Sequence, residues 1–488
     1  MSLIKQLEQI VGSGNVFDDP ALKERYAADQ SFVKPGRPDV IVRPQSVAAI
    51  QEIVRLANRT KTPLTPFSSG LNLHGAAIPA YGGIVLDMSG MDSIIEINDK
   101  DLYVIIEPGV TYAKLQDALE KKGLRVMMPF GIPPGRSVLT SYLERDVVMA
   151  AAHLELGNYL THDTEMVLPD GELFRTGCWN LGGRPGGLYG PGLNTIYRLW
   201  TGAQGTLGIV TKMVISAQHL SSVRKFFLIA FDTIQDIPEA LKQIQRKEIG
   251  LECFALNRFN LAALLNEEWQ IPGGFPALAT PSERFKQLQQ LLPSWTIVIG
   301  LAGFPHFPEE WVQIQEESLY AMGQKLGLRV VTELPAFPEI EKVFLRESLR
   351  PWGVLRKFNY KGSVHDLSFK APLKKLPELA AAVSAAARAA GYAPEDVGGY
   401  FTIIERGRSI HCEFDLHCGA DDGERDKVYK LWQSASSMLQ DKGALFDRPY
   451  GYWAEMVYAK APYYFSKLKQ LKKEMDPQGI LNPGKLGF

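Results

Sequence analysis

Between residues 47 and 59 the apolar positions Val47, Ile50, Ile53, Val54 and Ala57 recur at helical spacing, and Ser46 stands where a cap belongs. Short apolar runs bracket this stretch, one at 39–44 stopped by Pro44 and one at 63–67. The pattern predicts strand, helix and strand, followed by a loop of small residues: a βαβ unit whose ligand loop follows its second strand. Further strands are expected at 83–87 and 102–107, and a helix at 111–122 ending at Gly123. Residues 164–176 read as a hairpin around Pro169-Asp170-Gly171-Glu172. Residues 178–195 contain eight glycines or prolines and are expected to be loop.

Beyond about residue 222 the texture changes. Strands such as 225–231 and 409–418 alternate with helical stretches at 234–246, 282–292, 308–326, 374–391 and 424–442, and a last helix is expected at 462–475. The class is α+β, with division into units 1–221, 222–445 and 446–488.

Length and composition narrow the possibilities. A chain of 488 residues exceeds one typical core, so two or more packed units are expected. The formal net charge of -1 and the lack of a basic tract give no reason to expect nucleic acid as a partner. No apolar run of spanning length occurs, and the first ten residues lack a signal-peptide core, so a cytoplasmic location is the expectation. Cys178, Cys253, Cys412 and Cys418 are too sparse for a disulfide framework. The one metal-like cluster, 411–418, alternates as a strand does. His411, Glu413, Asp415 and His417 then share one face and Cys412 and Cys418 the other, which favours a polar cleft lining over a metal site.

Neither Gly-x-Gly-x-x-Gly at the first strand nor a Gly-x-x-x-x-Gly-Lys-Ser/Thr loop is present. Three other small-residue loops recur instead, at 67–77, 131–141 and 202–211. A pyrophosphate needs several backbone N–H donors at close range, and side chains beyond Cβ obstruct that approach. Gly70, Asn72 and Gly75 suit such a cradle, with Ser68 and Ser69 as added hydroxyl donors. Any one of these loops reads equally as a turn; their order and spacing carry the signal.

That order resembles the flavoprotein family that includes vanillyl-alcohol oxidase, 4-cresol dehydrogenase, glycolate oxidase and D-lactate dehydrogenase. The likeness lies in 42–47 with its helix, 66–77, 102–112, 205–212 and the ending Asp476-Pro477-Gln478-Gly479-Ile480-Leu481-Asn482-Pro483-Gly484-Lys485. It implies a two-subdomain PCMH-type FAD-binding domain (1–221), an antiparallel-sheet substrate or cap domain covered by helices (222–445), and a C-terminal segment returning to the FAD domain (446–488). It also implies FAD contacts. Phe67, Ser68, Ser69, Gly70, Leu71 and Asn72 would wrap the pyrophosphate. Pro134, Gly135, Ser137, Val138 and Ser141 would lie beside the flavin, Gly205, Gly208, Ile209 and Val210 near the FAD, and Asn482 and Lys485 would close over it.

The histidine and glutamate segments of the glycolate and D-lactate branch are missing, so the likeness is closer to the vanillyl-alcohol oxidase and 4-cresol dehydrogenase branch. That branch oxidises phenols held by an arginine and a tyrosine pair, because a guanidinium lowers the phenol's pKa. Arg448 matches the arginine, but Asp447 replaces one tyrosine, and Leu73 and His74 stand in place of the other. The resemblance implies Arg448, His411, His74 and Tyr450 as catalytic candidates; Arg448 could instead pair with Asp447 or Glu455, and His411 could be a satisfied core histidine. A covalent FAD link would fall on Leu367, which cannot form it, with His365 two residues away, so non-covalent FAD is expected.

The implied activity is an FAD-dependent dehydrogenase for a small hydroxyl-bearing, aromatic substrate (a phenol or aryl alcohol), by hydride transfer to flavin N5. Alternatives are a 2-hydroxy-acid dehydrogenase and a non-catalytic electron-relay subunit. The chain carries no second redox centre, so an external acceptor is expected: a cytochrome, quinone, electron-transfer flavoprotein or oxygen. A partner subunit or homo-oligomer fits the same logic.

Overall fold

The computed structural model describes residues 1–71, 73–155, 160–183 and 193–488. Strands Val40–Val42 and Leu64–Phe67 both run parallel to Ile84–Asp87, which lies between them. The strand–helix–strand unit is therefore present, with a later strand inserted at its centre. Val40–Val42 and Ile84–Asp87 are buried throughout, as continuous apolar runs in a covered parallel sheet should be. The connecting helix Val47–Thr60 is capped by Ser46, whose Oγ accepts the Ala49 N–H at 3.2 Å, and buries the expected Ile50, Ile53, Val54 and Ala57. Val16–Phe17 completes one edge. At the other, the Leu64 N–H donates to Ile480 O (2.8 Å) and the Asn482 N–H to Leu64 O (2.9 Å), so the chain's last residues pair with its first sheet.

A second, antiparallel sheet has the order Ile94–Asn98, Tyr103–Ile106, Ile209–Ser216, Thr161–Val167, Leu173–Arg175. Its last two strands form the expected hairpin, with Glu165 opposite Arg175. Gly177–Asn180 is a helical turn inside the stretch read as loop, and 184–192 lies outside the described residues.

The third sheet has seven antiparallel strands in the order Val330–Val331, Val223–Phe231, Trp295–Gly303, Glu252–Asn257, Gly398–Ile404, Ser409–Cys418, Ser363–Ala371. One face, with Phe227, Ile299, Phe401 and Cys412, packs under the helices Ile237–Arg246, Pro308–Leu326, Leu376–Ala389 and Asp422–Asp441. The other face, with Phe226, Phe254 and Val298, is covered in part by Arg258–Leu265, Glu283–Leu291 and Ile340–Glu347. Arg258–Leu265 escapes periodicity because it is buried from Phe259 to Leu265 on every side. Among the described residues no helix is long and apolar enough to cross a membrane.

Candidate active site

The three small-residue loops converge on one cleft. Its described walls are Phe67 to Leu71 from the first loop, Arg136, Leu139, Thr140, Leu143 and Glu144 from the second, and Gly205, Gly208, Ile209 and Val210 from the third, with Asn482 closing it. Asn72 lies outside the described residues. Two glycines set how closely the walls approach. Gly205 has φ +71°, and a Cβ there would lie 2.4 Å from Pro66 Cγ; one on Gly208 would lie 2.9 Å from Trp200 Nε1.

Hydrogen bonds tie these loops together. Ser69 Oγ accepts the Ser137 N–H at 3.1 Å, and Ser68 Oγ is 2.7 Å from Thr140 Oγ1. Asn482 Nδ2 donates to Ala76 O (3.0 Å) and Gln204 O (2.6 Å), joining the first and third loops. Its buried Oδ1 has no partner within the protein, an acceptor available to a cofactor N–H or hydroxyl. Small walls, loop backbone and this acceptor suit a dinucleotide.

Several expected contacts stand behind the cleft lining. Ser137 Oγ donates to Pro108 O at 2.6 Å, and Ser141 Oγ donates to Asp146 at 2.8 Å while accepting from Tyr112 (2.9 Å). Val138 is in the core, the Pro134 carbonyl accepts from Ala113, and Gly135 lies against Leu71. The segment faces the cleft through Arg136, Leu139 and Thr140 instead, while the short helix Val138–Leu143 buries Val138, Leu139, Ser141 and Tyr142. Lys485 is likewise a brace: Nζ donates to Gly75 O at 2.8 Å, and burial pulls its pKa down to about 8.

Leu71 and Arg136 also line a second cavity, which extends the cleft into a chamber under the seven-stranded sheet. Asp366 lies opposite Asp415 and Ser368 opposite Glu413, itself flanked by Tyr400 on its other side, while His411 is opposite Lys370. The alternation thus brings His411, Glu413, Asp415, Asp366 and Tyr400 to the chamber on one face. Cys412 points to the opposite core, as its parity predicts. Phe130, Ile132, Leu355 and Phe358 form apolar walls.

The chamber's charges are paired. Lys357 Nζ lies 2.8 Å from Asp415 and 3.1 Å from Glu413; burial opposes its charge, but the two carboxylates outweigh it and raise its pKa. Burial pushes the Asp415 carboxyl up, whereas Glu413, also opposed by burial, is held down by Lys357 and His411. Arg136 donates to Asp146 at 3.0 Å, and Arg448 donates to Asp146 and, at 2.7 Å, to Ser368 Oγ. Burial raises the Asp146 pKa, but the two guanidiniums prevail and hold it low. Arg448 therefore pairs with neither Asp447 nor Glu455, and Asp447 pairs with Lys370 at 2.8 Å.

His74 and His411 both line the chamber. His74 Nε2 lies 3.1 Å from Asp366 Oδ1 and its ring stacks on Tyr450 at 4.7 Å. Burial opposes the Asp366 charge, yet His74 holds this carboxyl well below the usual range. Tyr450 departs from expectation: its hydroxyl is turned from the chamber and donates to Glu144, a buried carboxyl raised by desolvation. Leu367 is in the core and His365 stacks on Phe32 at 4.0 Å, on the far face of their strand.

Sequence reading missed Asp146, Asp366, Lys357 and Glu144. The parity of 363–371 could have found Asp366, since it shares a face with Ser368. Lys357 sits in the irregular turn Gly353–Asn359, which carries no periodic signal.

Comparison with known proteins agrees with this geometry. The family described as FAD binding domain matches residues 38–177, and that of the C-terminal domain of FAD linked oxidases matches 451–486. The chain is 26% identical to the glycolate oxidase subunit GlcD of Bacillus subtilis (strain 168), over 99% of this chain and 96% of that one. It is 26% identical to the 4-cresol dehydrogenase [hydroxylating] flavoprotein subunit of Pseudomonas putida, over 61% of this chain and 57% of that protein. The fold matches substrate-bound p-cresol methylhydroxylase with a TM-score of 0.80 at 21% identity, covering 99% of this chain and 96% of the other. The cleft suited to a dinucleotide, the two domain matches and these relatives make the chain an FAD-binding enzyme similar to the FAD-linked oxidases, with the fold of p-cresol methylhydroxylase.

Proposed function

We propose that this enzyme is a dehydrogenase for a small, uncharged, hydroxyl-bearing aromatic compound, a phenol or aryl alcohol, with FAD held non-covalently. The observation that carries the reading is the pairing of charge. Each described cation of the Lys or Arg type lining the chamber, Arg136, Lys357 and Arg448, is already ion-paired with a carboxylate lining it. A substrate carboxylate would face Asp366, Glu413 and Asp415, while each guanidinium and ammonium of the lining already has a carboxylate partner, a costly placement. This favours the phenol or aryl alcohol reading over a 2-hydroxy acid.

Bound FAD supplies a hydride acceptor at flavin N5. The chain's own residues do the rest. Phe130, Ile132, Leu355 and Phe358 pack against the apolar body of the substrate and present its hydroxyl to the polar face of the sheet. The His74 imidazole takes the hydroxyl proton on Nδ1, while its Nε2–H donates to Asp366, which orients the ring and stabilises its charged form. No described residue of the chamber lining is more than partly exposed, so the reacting atoms sit in a sheltered cavity. The described cleft lining includes no histidine, cysteine or tyrosine to bond the flavin. Electrons then leave to an external acceptor, a cytochrome, quinone, flavoprotein or oxygen.

Anaerobic mixing with phenols, aryl alcohols and 2-hydroxy acids tests the reading. Bleaching of the flavin by an uncharged aromatic supports it. Bleaching by D-lactate or glycolate alone contradicts it, and bleaching by none points to an electron-relay subunit. Denaturation should release the yellow colour into solution.

A further inference from the structure

The chamber needs an opening, because none of its described lining residues is exposed. A neighbouring cavity shares Leu73, His74 and Asp366 with it and has the exposed rim residues Lys34, Gly451 and Glu455. Six aromatic side chains, Phe32, Tyr429, Trp432, Tyr450, Tyr452 and Trp453, line this vestibule. Trp432 stacks on Trp453 at 4.8 Å, and Tyr429 lies 4.8 Å from Phe32. Among the described residues, a second surface cavity shares with the chamber only Gln30. There the Gln30 amide donates to Val364 O at 2.7 Å and accepts from Val364 N, closing the wall as a strand neighbour would.

We infer that the aromatic vestibule is the route by which substrate reaches the chamber, and that it holds a planar aromatic ring in transit, with the His74–Asp366 pair at the throat. The ligand class rests on the reading under Proposed function; the route rests on the shared walls and exposed rim. Ring faces and edges at the vestibule wall suit offset or edge-to-face contact with an incoming ring. A bound ring there lies one side-chain layer from the base that receives its proton.

The test narrows the vestibule with Gln433→Trp, on a partly buried helix position, and separately with Glu455→Trp, on an exposed rim position. The readout is anaerobic stopped-flow bleaching by an aryl alcohol or 4-alkylphenol over a range of concentrations. The second-order constant should fall about tenfold in at least one variant, while the limiting rate stays within about twofold and FAD content is unchanged. Wild-type second-order constants in both variants would overturn the route. A rise in KM for a quinone acceptor, with the reductive constant unmoved, would assign the vestibule to the acceptor and overturn it equally. A wild-type flavin that no aromatic perturbs or bleaches would instead sink the proposed function, and the ligand class with it.

Discussion

His74 Nε2 sits 3.1 Å from Asp366 Oδ1, joining the first FAD loop to the edge strand of the seven-stranded sheet. A histidine from one unit and its orienting carboxylate from another meet only when both are correctly placed. The pair stands in the chamber where the resemblance led one to expect a tyrosine.

If this pair moves the substrate proton, Asp366→Asn should slow flavin reduction about a hundredfold without loss of FAD. His74→Gln should slow it to a similar degree, and the double variant should be little worse than either single one. Anaerobic rapid-reaction measurements on the three variants check this. Additive losses would show that the residues act separately.

Asp146 is shared by two guanidiniums, those of Arg136 and Arg448. Asp146→Asn should destabilise the fold by about 3 kcal/mol, because it leaves Arg136 and Arg448 facing each other unpaired. The surviving protein should bind benzoate about tenfold tighter than wild type, as both cations become available to a carboxylate. Denaturant melts and perturbation of the flavin spectrum measure the two effects.

Glu347 is buried beneath the turn that carries Lys357, and one oxygen accepts the Gly353 N–H at 2.9 Å. Burial pushes its carboxyl up to about 7. Since the folded pKa lies above the unfolded one, its contribution is fully present below about 4.5 and is lost as pH rises through about 7. Glu347→Gln should remove this loss, leaving the variant more stable than wild type above pH 7 by up to about 3 kcal/mol. Thermal melts at a series of pH values test the sign directly.

The tail is expected to hold the cofactor cleft closed. Asn482→Ala deletes two hydrogen bonds that join the first and third loops. It should weaken FAD binding about tenfold or more, read by equilibrium dialysis of the holoenzyme.

How much of this was legible beforehand follows from where each signal resides. The helix Val47–Thr60 and the face of strand Ser409–Cys418 were readable because their periods are local. The cleft was readable from glycines and small polar residues whose order matches the family. The insertion of Ile84–Asp87 between two earlier strands was not, because register between distant strands leaves no mark in either segment. The charge pairs were hidden for the same reason: Asp146 and Arg448 are 302 positions apart. Tyr450 was placed in the right neighbourhood, but only the structure shows its hydroxyl committed to Glu144.

The central claim, an uncharged aromatic substrate, is tested most directly by a matched pair. Benzyl alcohol and mandelate carry the same ring and hydroxyl and differ by one carboxylate. Anaerobic bleaching should be at least about a hundredfold faster, as a second-order constant, with the uncharged member or its 4-hydroxy derivative than with the corresponding mandelate. Faster bleaching by the mandelate would contradict the account, because it would require a cation in the chamber that the ion pairs of Asp146, Glu413 and Asp415 do not leave available.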